Sequence, residues 1–181
     1  MKFFMIRHTH VSLPPGICYG QSDIETASTF AEEVVEIRKR LMTMPFEIIY
    51  SSPLVRCLRL ARVLAGERPI QTDVRLMELN FGAWEQQSWE SINASETGQR
   101  WFADFCHLPC PGGESYYQMI SRVNAFYHAM KTRHTQDSNI LIVTHSGVMR
   151  AMQCIVENRD PVLSFNHSIN YGSIIQLNDE K

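Results

Sequence analysis

The chain has 181 residues, 44% of them hydrophobic and 20% charged, which is enough for one well-buried domain and short for two. A formal net charge of -2 gives no global pull towards nucleic acid or an anionic membrane, so any anion binding has to come from a local cluster. The apolar start is broken by Arg7 and His8, too early for a secretory signal or a span, and five cysteines without the dense spacing of a secreted scaffold read as free thiols, so the cytoplasm is the expected location.

Short β-rich apolar runs alternate with longer helical patterns, which predicts an α/β domain around a largely parallel sheet, with residues 1–181 forming a single unit. The first strand runs from Lys2 to Ile6 and stops at Arg7-His8. Ser28 and Thr29, with Glu32 three residues after Thr29, predict a capping-box start to a helix reaching about Thr43. Glu47 to Tyr50 is the second strand, and Ser52-Pro53 predicts the next helix, with serine as cap and proline at its first position. Arg56 falls in the first turn of that helix, while Arg59 and Arg62 read as a solvated basic face.

A weaker strand at Pro69 to Thr72 leads into a segment bearing two carboxylates, Glu78 and Glu85. Trp84, Trp89, Trp101, Phe102 and Phe105 read as packing in a segment covering a pocket, with stacking on a base-like group as their other use. Cys106, His107 and Cys110 lack a second ligand pair, so no metal site is expected there. Behind Gly112-Gly113, the stripe Met119, Ile120, Val123, Phe126, Tyr127 and Met130 predicts a helix from Glu114 to about Arg133. Asn139 to Thr144 is continuously apolar, as a strand covered on both faces should be, and it ends at His145. Ser146-Gly147 opens a helix to about Val156, and Ser173 to Leu177 is the last strand. His107, His128, His134 and His167 have no motif around them and read as surface or interface groups.

Ligands of open α/β sheets bind outside the carboxyl ends of the strands. Three such ends here carry Arg7-His8, Arg56 and His145, two guanidinium forks and two imidazoles, a set suited to the oxygens of a phosphoryl group. His8, beside Arg7, suits the nucleophile, because neighbouring cations lower its pKa and keep a lone pair free; His145, opening a helix, is placed to donate. Expulsion of an alkoxide also needs a proton donor. Leu79, Phe81 and Trp84 around Glu78 would desolvate it and favour its protonated form, with Glu85 as the rival acid or a structural partner.

Five blocks then acquire a common meaning. Arg7-His8-Thr9, Ser51-Ser52-Pro53-Leu54-Val55-Arg56-Cys57, Glu78 to Glu85, Pro111-Gly112-Gly113-Glu114-Ser115 and Val143 to Val148 resemble, in order, the motifs of the histidine phosphatase superfamily in its phosphoglycerate-mutase-like branch. The resemblance implies a three-layer α/β/α sandwich with a mostly parallel central sheet. It also implies phosphorylation of His8, a phosphate pocket of Arg7, Arg56 and His145, proton donation by Glu78, and hydrolysis without metal or organic cofactor.

The stretch Gly16 to Asp23 together with Glu78 to Gly82 resembles α-ribazole phosphatases, which remove the 5′-phosphate of α-ribazole phosphate or of the phosphorylated cobamide in cobalamin assembly. By that resemblance Gly20 and Gln21 lie at the pocket mouth, and Thr9 and Ser146 join them as substrate-contacting residues. The expected partner is a small phosphate monoester; the sequence sets no oligomeric state. A broad sugar-phosphate phosphatase or a mutase-like enzyme uses the same machinery, although the segment from Trp84 to Pro111 lacks the insertion of cofactor-dependent mutases. A non-catalytic phospho-ligand module is the remaining alternative. The family commonly continues Arg-His-Gly-Glu where this chain has Arg7-His8-Thr9-His10, and Pro-Leu where it has Ile24-Glu25 after Asp23.

Overall fold

A computed structural model describes residues 1–180; the expected unit ended at Lys181, which lies outside them. Five strands form one sheet in the order β3-β2-β4-β1-β5, where β1 is Lys2–Arg7, β2 Ile48–Ser51, β3 Gln71–Thr72, β4 Asn139–Thr144 and β5 Ile174–Asn178. All neighbours pair in parallel except β5, which runs antiparallel to β1 at the edge.

Alternation along the central strands explains the layers. Phe3, Met5, Ile140 and Ile142 face one core, and Phe4, Ile6, Leu141 and Val143 face another. The first core is completed by α5 (Tyr116–Arg133) and α6 (Ser146–Glu157), the second by α1 (Phe30–Leu41) and α2 (Val55–Ala65). The strands read as uninterrupted apolar runs because both faces are covered. The expected α/β/α sandwich with a mostly parallel sheet is what the chain forms.

Three helix starts differ from the sequence expectation. No capping box forms at Thr29; its hydroxyl goes to Glu33 Oε1 at 2.6 Å, and the helix ends at Leu41. Ser52-Pro53 lies outside α2, whose first residue, Val55, instead donates its N–H to Asp23 Oδ1 at 2.7 Å. The Glu114 start moves to Tyr116, with Ser115 and Gln118 forming a complete capping box. Two short helices, α3 (Trp89–Ala94) and α4 (Glu96–Ala103), were not legible; Ser88 and Ser95 cap them. No helix among the described residues is long and apolar enough to cross a membrane.

Candidate active site

The strand register builds the site. Parallel pairing matches Arg7 with Thr144 and Ser51 with Val143, so the residues after the three strand ends emerge together. The His8 N–H donates to Thr144 O and that of Ser52 to Val143 O, each at 3.0 Å. The His8 and His145 rings lie 5.1 Å apart, and His145 Nε2 shares a hydrogen bond with Ser52 Oγ at 2.9 Å.

His8 Nδ1 lies 2.7 Å from the carbonyl oxygen of Thr9. A carbonyl only accepts, so Nδ1 carries the proton and Nε2 keeps its lone pair. Burial, then the charge of Arg56, hold the His8 pKa well below 6.5, against the opposing Thr9 bond and with a smaller help from Arg7. Burial and then Arg56 depress His145 in the same way. Both rings are therefore neutral at pH 7.

Arg56 is fully buried, donating from Nη1 to Ser22 O at 2.7 Å and from Nη2 to Gly20 O at 2.6 Å. Arg7 donates from Nη1 to Ile169 O at 2.6 Å. The Nε atoms of both arginines and the Thr9 hydroxyl are buried without a partner. Such groups cost about 1–3 kcal/mol each when unmatched, and two N–H donors flanking an imidazole are what an oxyanion takes up. Thr9 is wholly buried, and its visible work is to fix the His8 tautomer through its carbonyl.

The Glu78 carboxylate accepts from the N–H of Leu79 at 3.0 Å and of Gly147 at 3.2 Å, the latter in the first turn of α6. A Cβ at position 147 would collide with Glu78 Oε1, so glycine is required for this approach. The Glu78 carbonyl is held by Gln21 Nε2 at 3.0 Å and Arg122 Nη2 at 2.9 Å. Arg122 also grips the carbonyls of Arg75 and Met77 and pairs with Glu114. Glu85 is otherwise employed: its carboxylate takes the N–H groups of Gln21, Ser22 and Phe81, fastening the loop that presents Gly20.

A cleft of about 220 Å³ adjoins these groups, its polar lining including Arg7, Tyr19, Gly20, Glu78, Tyr116 and Ser146. Phe81, Trp89, Trp101, Phe105 and Phe165 dominate the rest, joined ring to ring, with Phe105 and Phe165 4.8 Å apart. Gln21 does not line it, its amide being turned to Glu78, and Trp84 packs in the core against Trp101.

Several other expected residues fall elsewhere. Arg59 and Arg62 are exposed, as read, and Arg59 also bonds the Thr26 hydroxyl and lies over the Phe30 ring. His107, His128 and His167 are exposed, whereas His134 is half-buried against the Tyr50 hydroxyl. Cys106 and Cys110 sit in the core, where burial pushes their thiols up to about 11 and about 12. Among the described residues no group of three or more His, Cys, Asp or Glu is set to hold a metal ion.

Sequence reasoning missed Ser52 as the partner of His145, and Arg122, Tyr19 and Tyr171 altogether. Ser52 stood inside a recognised block but was read as a helix cap. Arg122 and Tyr171 stand in no motif, and only folding brings them here.

Residues 3–181 match the family described as histidine phosphatase superfamily (branch 1). A putative phosphoserine phosphatase 2 of Hydrogenobacter thermophilus is 27% identical over 160 residues, 86% of this chain and 78% of the relative. A 2,3-bisphosphoglycerate-dependent phosphoglycerate mutase of Cytophaga hutchinsonii is 26% identical over 155 residues, 78% and 70% of the two chains. Among solved structures, the α-ribazole phosphatase from Shigella flexneri superposes with a TM-score of 0.87 at 22% identity, covering 97% of this chain and 89% of the other.

Proposed function

We propose, from the premise that this chain belongs to the histidine phosphatase superfamily (branch 1) and is a phosphatase of it, that hydrolysis proceeds through a phosphohistidine on His8. Arg7, Arg56 and His145 hold the three non-bridging oxygens of a phosphate monoester. His8 Nε2 attacks phosphorus, the ester P–O bond breaks, and Glu78 protonates the leaving alkoxide. Glu78, now a carboxylate, takes a proton from the water that attacks phosphohistidine; inorganic phosphate leaves and neutral His8 is restored. The observation that carries this reading is the His8 ring, proton fixed on Nδ1 by Thr9 and lone pair free on Nε2, beside two guanidinium groups.

For the substrate, we infer the 5′-phosphate of α-ribazole phosphate or of the phosphorylated cobamide. Two features support it: the likeness of Gly16 to Asp23 and Glu78 to Gly82 to α-ribazole phosphatases, and the cleft; the short segment from Trp84 to Pro111 favours hydrolysis over mutase chemistry. The rings of the cleft suit a flat heteroaromatic group. Arg7 is the sole cation among its lining residues, which leaves a substrate carboxylate such as that of phosphoglycerate without a partner of its own.

The test is a substrate panel. The expected result is faster phosphate release from α-ribazole 5′-phosphate than from phosphoserine, 3-phosphoglycerate and sugar phosphates, with an acid-labile phosphoryl group trapped on His8. Similar rates across the panel sink the cobalamin substrate, and a phosphoryl group trapped elsewhere sinks the nucleophile.

A further inference from the structure

His8, His145 and Arg56 are 1%, 0% and 0% exposed, yet a nucleophile has to be reached by its substrate. Two tyrosines stand beside it. The Tyr171 ring lies 5.5 Å and the Tyr19 ring 6.5 Å from the His8 ring. Their hydroxyls meet at 3.0 Å, although the residues are 152 positions apart. Each ring also lies against an arginine of the pocket: Arg7 Cζ is 3.8 Å from the Tyr171 centroid and Arg56 Cζ 5.0 Å from that of Tyr19. The aromatic faces thus meet the two cations of the pocket.

We propose that Tyr19 and Tyr171 form a hydrogen-bonded gate across His8 which the substrate phosphate has to part. The proposal rests on the reading of His8 as nucleophile. The gate has somewhere to open: Tyr19 and Ile17 line both the cleft and a second cavity of about 340 Å³, which Tyr171, His10 and Pro14 also line. A ring moving into that cavity leaves the sheet and both cores undisturbed.

His10, which stands where the family commonly has an acidic residue, braces the outer side. Its ring packs on Tyr171 at 4.2 Å, and its Nδ1 and backbone N–H both meet Glu33 Oε2 at 3.1 Å. Burial, then the bond to Tyr171, raise the Tyr19 phenol above its usual range.

The experiment reads access to His8 without turnover: the rate of His8 carbethoxylation by diethyl pyrocarbonate, located by mass spectrometry, in the intact protein and in Tyr19→Phe, Tyr171→Phe and the double variant. Loss of either hydroxyl breaks the bridge, so each single variant is expected to speed modification by about two- to tenfold. The double variant should go no further than either single one, since both remove the same bond. His10→Ala, which keeps the bridge and loosens its brace, should raise the rate as well. Unchanged rates in both single variants, or fully additive effects, overturn the gate. Because this readout does not depend on phosphoryl transfer, a missing phosphohistidine would count against the catalytic reading and leave the gate's own test intact.

Discussion

Around His8 most neighbouring polar groups, His145 on Ser52 Oγ aside, are held by main chain: Thr9 O on Nδ1, Gly20 O and Ser22 O on Arg56, Ile169 O on Arg7, and the N–H groups of Leu79 and Gly147 on Glu78. Around Phe165 and Trp89 the contacts are ring on ring, made by short helices and a 3-10 turn at 163–166. Directional bonds to backbone fix atoms to a few tenths of an ångström, as in-line transfer demands. Apolar contact is non-directional and accepts a range of shapes. In the function proposed above, the first region serves the reaction and the second the choice of leaving group.

The largest effect should come from the first region. His8→Asn is expected to lower kcat/KM at least about 10³-fold on every phosphate monoester alike. A loss confined to particular substrates would erase the division between the two regions.

Next is Glu78→Gln, which should slow alkyl phosphates about 10²-fold and an activated aryl phosphate less than about tenfold, because only the poor leaving group needs its proton. Equal losses on both ester types would move the acid to another residue. In the second region, Phe165→Ala removes a ring that is 46% exposed and should leave the fold intact. It is expected to raise KM for α-ribazole 5′-phosphate about two- to tenfold, with kcat and the KM for phosphoserine nearly unchanged. A fall in kcat for both substrates would show that the cleft also positions the phosphate.

The smallest effect concerns stability. His8 and His145 are held neutral in the folded chain, so between their depressed pKa values and 6.5 the unfolded chain binds more protons, and stability falls as pH drops below 6.5. Denaturant melts of the wild type and His8→Asn across pH 7 to 5.5 should diverge as the pH falls, the wild type losing more stability; parallel curves would mean that His8 is solvated in the folded state.

Much of the reaction region was legible because its signals are local. Apolar runs such as Ile140 to Val143 announce buried strands, and the groups that follow them, His8 and His145, are positioned by strand ends alone. The choice of leaving group was less legible. Trp89 and Phe105 were read as covering a pocket, but Phe165 comes from a turn with no motif and joins them only through folding.

The helix starts divide the same way. Ser115 caps α5 from within its own segment, whereas α2 receives Asp23 across 32 residues and Ser52, free of that duty, turns to His145. By itself the sequence determined the strands and which polar groups, His8 and His145 among them, follow their ends, since these follow from periodicity and residue type. Only the tertiary structure decided that Arg122 clasps the Glu78 segment and that Tyr171 meets Tyr19 above His8. Those bonds join residues far apart in the chain, and no local pattern encodes them.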